Sequence, residues 1–448
     1  MSMIKRRLQE LKEYPSAILG MVIIGILIAV SLYAIIAIPY GEAIRMWRGG
    51  EGVWIENPRN VPPAWVNYFP GVNRPETKIL DSIDRPELKE VTEKTEEVSE
   101  VKISMPFTYE YDEFPREINL FFAAEYEQTR PFVHIYWVMP DGREIEMMEG
   151  SVADGASYRI GQDRDLQRRQ LDGLRPRVGL FAEEDTDPPQ VLHGEYELRI
   201  EGYLFEPDAD LEARLINYGQ VEGLAGTDHR RRDIALALIW GTPIALAFGL
   251  LAAVGSTITT MILAGVGVWF GRWVDGLIQK ITEVNLILHP LVVLVMIGTL
   301  YSRSIWVMLA VIIVLNIFSG AIKVYRSLFL QIKEAPYVEA ARSYGAGNLR
   351  IIFRYLIPRA IPVLVPQFVI LIPSLVFLEA TLAVLGLGDP VLPTWGKVLE
   401  DAQQHGALYL GYYYWVLSPA ICLIVTGMGF SMLGFALDRI LNPRLRGM

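Results

Sequence analysis

Two uncharged apolar runs constrain this chain more than any other feature. From Ala17 to Ile38 no position carries a charge, and from Ile234 to Gly271 a longer stretch is equally uncharged. A hydrocarbon layer roughly 30 Å thick is crossed by about 20 helical residues, and a helix bonds its own backbone where water is absent. The chain therefore reads first as a membrane protein. Lys5, Arg6, Arg7 and Lys12 precede the first run. A secretory signal opens the same way, but its apolar core spans only about 7 to 15 residues; a retained anchor is expected, with a cleaved leader as the minority alternative.

The second run exceeds one perpendicular span and holds Gly241 and Pro243 near its start, which predicts a short surface helix leading into a tilted crossing over 242–269. Further crossings are expected at Asn285–Tyr301, Ser304–Ile322, Ala360–Leu385 and Tyr414–Leu437, six in all, with Pro358, Pro362, Pro366 and Pro373 perturbing the fifth. Basic residues favour the cytoplasmic side. Arg272 and Lys280, then Lys323, Arg326, Lys333, Arg342, Arg350, Arg354 and Arg359, and finally Arg439, Arg444 and Arg446 fall inside if both termini are cytoplasmic. Arg230, Arg231 and Arg232 dissent, because the same topology puts them outside.

Charge separates the middle of the chain from the rest. Residues 40–225 hold 38 acids against 20 bases, a balance of −18, which leaves 13 acids and 21 bases elsewhere. A nucleic-acid partner for so acidic a segment is excluded as a working reading. The proline-rich stretch 40–100, with its charged run from Glu87 to Glu100, predicts an extended stalk. Beyond it the apolar period becomes two: Val101, Ile103 and Met105, then Glu117–Tyr126 and Phe132–Met139, an Asp141-Gly142 turn, Arg143–Met148 and Glu195–Phe205 predict a small antiparallel sandwich over 101–225. Gly194, Tyr196 and Leu198 have the pattern of a tyrosine corner.

Candidate metal ligands are sparse. Cys422, the sole cysteine, lies in an apolar run, so neither an intrachain disulfide nor a cysteine cluster is available. His134 and His193 read as sheet or loop imidazoles, and Glu183, Glu184, Asp185 and Asp187 lack calcium-loop spacing. No metal is expected. No HExxH, GxSxG or GxxxxGK[ST] sequence is present, so no catalytic residues and no nucleotide loop are assigned to this chain.

The most informative segment is Lys323–Pro358, too polar to span. Pro336 suits a first helical turn, Glu339 complements that positive end, Ala340 and Ala341 give a slim face, and Gly345 suits the left-handed stop. Composition leaves two uses open, a knob that seats in another protein's groove or a hairpin on anionic lipid. Glu379 is an ionisable group in an apolar stretch, a carboxylate that costs roughly 2.5 to 3.5 kcal/mol to place in lipid unpaired. It reads equally as a gate in a translocation path and as a capped residue locking its helix. His289, Asn316 and Ser319 read as packing or cross-helix hydrogen-bonding residues.

Glu339, Ala340, Ala341 and Gly345, followed by Pro358, resemble the EAA-x-x-x-G signature of permease subunits in binding-protein-dependent ATP-binding-cassette importers. Gly226, Thr227, Asp228, Arg232 and Asp233 are similar to the GTDxxGRD sequence of the second membrane subunit of dipeptide and oligopeptide systems, with Arg231 in place of its glycine. Leu378–Ala402, with Gly386, Gly388, Pro393, Trp395 and Gly396, resembles the LEAxLSFLGLG…WG stretch of the same subunits, and Asn442, Pro443 and Arg444 agree with it. The resemblance covers about half the chain and leaves out residues 40–225.

The resemblance implies a polytopic α-helical membrane protein with the type I importer permease fold, to which the strand pattern adds an inserted mainly-β extracytoplasmic domain. Together the two readings divide the chain into a cytoplasmic N-terminus and first helix (1–39), the stalk (40–100), the β insert (101–225) and a five-helix core (226–448) in the inner membrane. Residues 337–349 become the coupling helix. The implied partners are a second homologous permease, two ATPases that carry ATP and Mg, a substrate-binding protein, lipid and a peptide substrate; the chain itself binds no cofactor. Nickel chelates or other small solutes are the alternative cargo. A membrane-anchored receptor or scaffold is the alternative from another class.

Overall fold

A computed structural model describes residues 14–93 and 98–441. Lys5, Arg6, Arg7, Lys12 and residues 94–97 and 442–448, including Arg444 and Arg446, lie outside the described residues. The chain divides into two compact units, one built from both ends (to Arg48 and from Leu236) and one from Gly49–Ala235.

The first unit is helical. Its elements are α1 (Pro15–Ala37), α2 (Tyr40–Arg48), α3 (Ile234–Phe270), α4 (Arg272–Ile287), α5 (Pro290–Leu300), α6 (Ile305–Ile317), α7 (Gly320–Lys333), α8 (Pro336–Ser343), α9 (Asn348–Ile351), α10 (Ile357–Leu382), α11 (Trp395–Gln404) and α12 (Tyr413–Leu441). In α1, Ala17, Gly20, Ile23, Leu27, Ser31 and Ala34 are buried at helical spacing and form one stripe. A methyl on Gly20 would lie 2.7 Å from the Gly429 carbonyl oxygen, and one on Gly429 would lie 2.7 Å from Ile23, so small residues allow α1 and α12 to approach closely.

Helices α1, α3 and α12 and the stretch Leu364–Leu387 are each long and apolar enough to cross a membrane. The expected crossings at Asn285–Tyr301 and Ser304–Ile322 are instead bent pairs, α4 with α5 at 77° and α6 with α7 at 44°. The first break falls at His289, whose extended backbone is what a residue before proline adopts. Asn285 Nδ2 donates to the Leu315 and Phe318 carbonyls at 2.9 and 3.0 Å, holding the end of α6. Asn316, expected to bond across helices, donates back to Ile312 of its own helix.

Helix α3 also differs from expectation, since it is continuous for 37 residues with Pro243 inside it and no separate surface helix before it. The Thr242 hydroxyl and the Trp395 indole both donate to the Leu238 carbonyl, at 3.0 and 2.9 Å, in the turn that the proline loosens.

The second unit is a two-sheet β structure. Strands β1 (Lys78–Asp81), β2 (Lys89–Glu93), β3 (Ser99–Tyr109), β4 (Glu117–Glu125), β5 (Phe132–Val138), β6 (Glu144–Ser151), β7 (Ser157–Arg159), β8 (Gly194–Leu204) and β9 (Asp210–Tyr218) form sheets of order β1-β9-β4-β7 and β2-β3-β8-β5-β6. Residues of both sheets, among them Ile103, Leu120, Trp137, Leu198 and Leu215, share one buried core. The Asp141-Gly142 turn closes β5 onto β6 with Gly142 at φ 88°. The Tyr196 hydroxyl donates to the Leu192 carbonyl at 2.6 Å, the geometry of a tyrosine corner. The stretch read as an extended stalk is folded instead: it contains α2, and β1 and β2 add one strand to each sheet.

Candidate functional site

Helix α8 is the short helix predicted from Pro336, Glu339 and the alanine pair, but it ends at Ser343 rather than running to Leu349. Gly345 takes φ 78°, and its N–H bonds to Arg342 while Ala346 N–H reaches Ala341, both at 3.0 Å. Those two bonds satisfy the last carbonyls and reverse the chain into α9. The helix carries two faces. Val338 and Ala341, three residues apart, are both buried, Val338 in a core built from α3, α4, α7, α9 and α10, whereas Glu339, Ala340 and Gly345 are exposed. The alanine pair therefore does not form a single slim face, as the sequence suggested.

The base beneath α8 is fastened by polar contacts. Arg326 of α7 holds Asp275 of α4 through two parallel bonds, Nε to Oδ1 at 2.8 Å and a terminal nitrogen to Oδ2 at 2.6 Å. Lys333 Nζ donates to the Val268 carbonyl at 2.8 Å, at the negative end of α3. Arg342 lies 5.9 Å from the Trp269 ring and Arg359 5.2 Å from the Tyr337 ring. Pro358 opens α10 within its first turn.

The Leu378–Ala402 segment folds as a tight bend between α10 and α11. Gly386 takes φ 85°, where a side chain is strained. A methyl on Gly388 would sit 2.7 Å from Glu400 Oε2, and one on Gly396 would sit 2.7 Å from Ala383 Cβ and 3.3 Å from Glu379 Oε2. Trp395 is 1% exposed and packs on Gly241. Glu379, itself 9% exposed, is hydrogen-bonded to the Thr394 hydroxyl, whose oxygen accepts the Lys397 N–H at 3.1 Å. The carboxylate thus lies at the positive end of α11.

Two further groups in this bend escaped the sequence reading. Asp389 accepts the Ile305 N–H at 3.0 Å and the Val391 N–H at 2.9 Å, so it caps α6 from a distant loop. Lys397 bridges buried Glu400 and Asp401 at 3.0 and 3.2 Å. The available signal was an acid between a glycine pair and a proline in a loop, Gly388-Asp389-Pro390.

The third motif, Gly226–Asp233, lies within the β unit. The Thr227 hydroxyl donates to the Pro58 carbonyl at 2.7 Å. Asp228 accepts the Arg230 and Arg232 N–H groups at 2.8 and 2.9 Å and pairs with the Arg232 side chain, both residues being buried. Asp233 accepts the Ala235 N–H at 2.8 Å at the start of α3, and burial raises its pKa. Gly226 stands at φ 78°. Arg231, where the related motif has glycine, takes φ 65°, a geometry that suits the missing glycine.

Among the described residues, one group of three potential metal ligands comes together: His134, Glu146 and Glu149 on β5 and β6. It is at the surface, with Glu146 and Glu149 exposed. His193, the other imidazole considered, lies 3.1 Å from the Tyr111 carbonyl.

Residues 256–447 match the family described as the inner membrane component of binding-protein-dependent transport systems. The chain is similar to the dipeptide transport system permease protein DppC of Alkalihalophilus pseudofirmus, 29% identical over 49% of this chain and 72% of that protein. It is also 29% identical to DppC of Bacillus subtilis, over 49% of this chain and 68% of that one. The oligopeptide transport system permease protein OppC of Bacillus subtilis is 28% identical over 49% and 72%.

Proposed function

We infer that this chain, whose residues 256–447 match the inner membrane component of binding-protein-dependent transport systems, is the permease subunit of an ATP-driven importer of dipeptides or oligopeptides. The observation that carries the mechanism is the division of α8 into a buried Val338–Ala341 side and an exposed Glu339–Ala340 side. A helix that moved freely on lipid would not need such an anchored base. A helix that receives force needs one face on its partner and the other set in the bundle.

In this reading a second homologous permease completes the path, two ATPases with ATP and Mg dock on the α8 helices, and an extracytoplasmic binding protein delivers the peptide. The two bent pairs serve as the third and fourth of six crossings, with both termini cytoplasmic. Closing of the ATPases draws the coupling helices together, and the bundle rocks as a rigid body between its two open states. Glu379 acts as an anchor of α10 to α11 through Thr394 in preference to meeting substrate.

The test separates docking from folding. Ala340→Arg leaves the thermal midpoint of the purified chain unchanged, since exposed substitutions stay within about 0.5 kcal/mol, while the yield of copurified ATPase falls at least about tenfold, as for a hot-spot loss. Ala341→Leu overpacks the core by about 1 to 3 kcal/mol and lowers the midpoint. Retention of the ATPase by Ala340→Arg refutes the docking face.

A further inference from the structure

The outer face of the five-stranded sheet brings one imidazole and two carboxylates together. In β5, Val133, Ile135 and Trp137 point into the core, which leaves His134 and Tyr136 on the opposite face. Glu149 of β6 stands opposite His134, and Glu146 stands opposite Tyr136. Two residues three positions apart in an unbroken strand point to opposite faces. Here the register shifts: Ile135 pairs with Met148 and Tyr136 with Glu146, which leaves Met147 over, so the bulge turns both acids toward His134. One ligand atom from each of the three lies within 4.8 Å of the other two.

Aromatic neighbours fix the imidazole in place. Phe132 and Tyr203 meet its ring edge-on at centroid distances of 5.3 and 6.3 Å, and Tyr136 lies parallel to it at 6.4 Å. Its Nδ1 is shielded from solvent, has no hydrogen-bond partner among the described residues, and lies 3.9 Å from Glu146 Oε1. That gap is too long for a hydrogen bond. Arg199, opposite Tyr136 on the other neighbouring strand, bonds to Glu144 and Glu197 instead. The ring nitrogen and the two acids therefore converge on a point that no lysine or arginine among the described residues bridges.

We propose that His134, Glu146 and Glu149 bind a divalent transition-metal cation of the zinc class. Ligand atoms set tetrahedrally at about 2.0 to 2.2 Å from zinc stand roughly 3.3 Å from one another. The 3.9 Å separation is a small side-chain adjustment from that spacing, and Glu146 and Glu149 are exposed and free to make it. One imidazole nitrogen and two carboxylates, with a fourth position open to water, form a zinc donor set. Calcium and magnesium take about six or more oxygens and gain nothing from the imidazole. The trio lies wholly within the β unit, so the site stands or falls separately from the transport reading.

Calorimetric titration of the full chain with Zn²⁺, in lipid nanodiscs and free of any histidine tag, tests the assignment, with empty nanodiscs as the blank. Saturable binding is expected below about 100 μM Zn²⁺, and Mg²⁺ in about hundredfold excess does not displace it. Loss of a partner to a metal ligand already weakens a site about 10 to 100-fold, so His134→Gln and Glu149→Gln, which remove ligands, each weaken binding at least about tenfold. Glu149 is exposed, so the metal-free thermal midpoint of Glu149→Gln matches wild type and its lost affinity is not lost folding. His193→Gln, at the imidazole 3.7 Å from Asp112, leaves the affinity unchanged. The proposal is overturned if Zn²⁺ binding does not saturate in that range, if Mg²⁺ displaces the ion, or if His134→Gln and Glu149→Gln bind Zn²⁺ as tightly as wild type.

Discussion

Replacing Gly396 by alanine is the sharpest test of how the bend between α10 and α11 is built. The new methyl would sit 2.7 Å from Ala383 Cβ and 3.0 Å from Ala380 Cα, against the 3.5 to 4.0 Å of relaxed carbon contacts. Neither neighbour can turn away, since one is a Cβ fixed to its backbone and the other is backbone itself. Helix α11 therefore has to back off by about 1 Å, which stretches the 2.9 Å bond from the Trp395 indole to Leu238. Overpacking costs about 1 to 3 kcal/mol and the weakened bond about 1 kcal/mol. Alanine returns about 0.5 to 1 kcal/mol of helix propensity. The net loss is about 2 kcal/mol, a fall of about 4 to 8 °C in the thermal midpoint of the purified chain. Gly276, exposed in α4 with nothing near its missing methyl, is the internal control. Gly276→Ala raises the midpoint slightly. If Gly396→Ala matches Gly276→Ala, the close approach of α11 to α10 is wrong.

Two other outcomes follow from single groups. Asp389→Ala leaves the Ile305 N–H without its acceptor at the start of α6 and costs about 1 to 2 kcal/mol, read as a lowered midpoint and as faster cleavage in the loop around Pro390 by limited proteolysis. Glu206 accepts the backbone N–H groups of Glu127, Thr129 and Gln128, which hold its pKa below the ordinary 4.5. A depressed carboxylate stabilises the fold above its unfolded pKa, and that contribution disappears as pH falls from about 4.5 through the folded value. Glu206→Gln removes this part of the acid dependence, so the wild-type and variant midpoints converge below pH 4.5 and separate above it; parallel curves across that range contradict the assignment.

Much of the fold was legible because its signals are local. Strands near Glu117–Tyr126, Phe132–Met139 and Glu195–Phe205 announce themselves by period-two burial, and Asp141-Gly142 by the left-handed turn only glycine enters easily. The misread parts depend on distant partners. Strands β1 and β2 are too short and too charged to be recognised alone, and they exist because β9 and β3 accept them. The α4–α5 and α6–α7 pairs are tied together by Asn285, whose partners lie about thirty residues away. At Glu339–Gly345, spacing located the helix and its glycine stop. The inward side was written in the Val338–Ala341 interval, but the pairing of Ala340 with Ala341 obscured it.

Arg230, Arg231 and Arg232 were the one group of charges at odds with the proposed orientation, and the structure changes how they count. The rule weighs basic groups in short loops beside a crossing, whereas long translocated domains follow it poorly. Arg231 and Arg232 are 4% and 2% exposed and are matched to Glu117 and Asp228. Each pair is close to neutral, and each belongs to a folded unit of some 190 residues, Gly49–Ala235, rather than to a short loop. Their positions carry structural work: Asp228 closes the turn that Arg232 completes, and Arg231 takes up a left-handed site in order to reach Glu117 and Tyr218. Side chains matched in this way present little net positive charge to the membrane, so Arg231 and Arg232 do not argue against placing the β unit outside, and Arg230 alone is left to count as a basic group there.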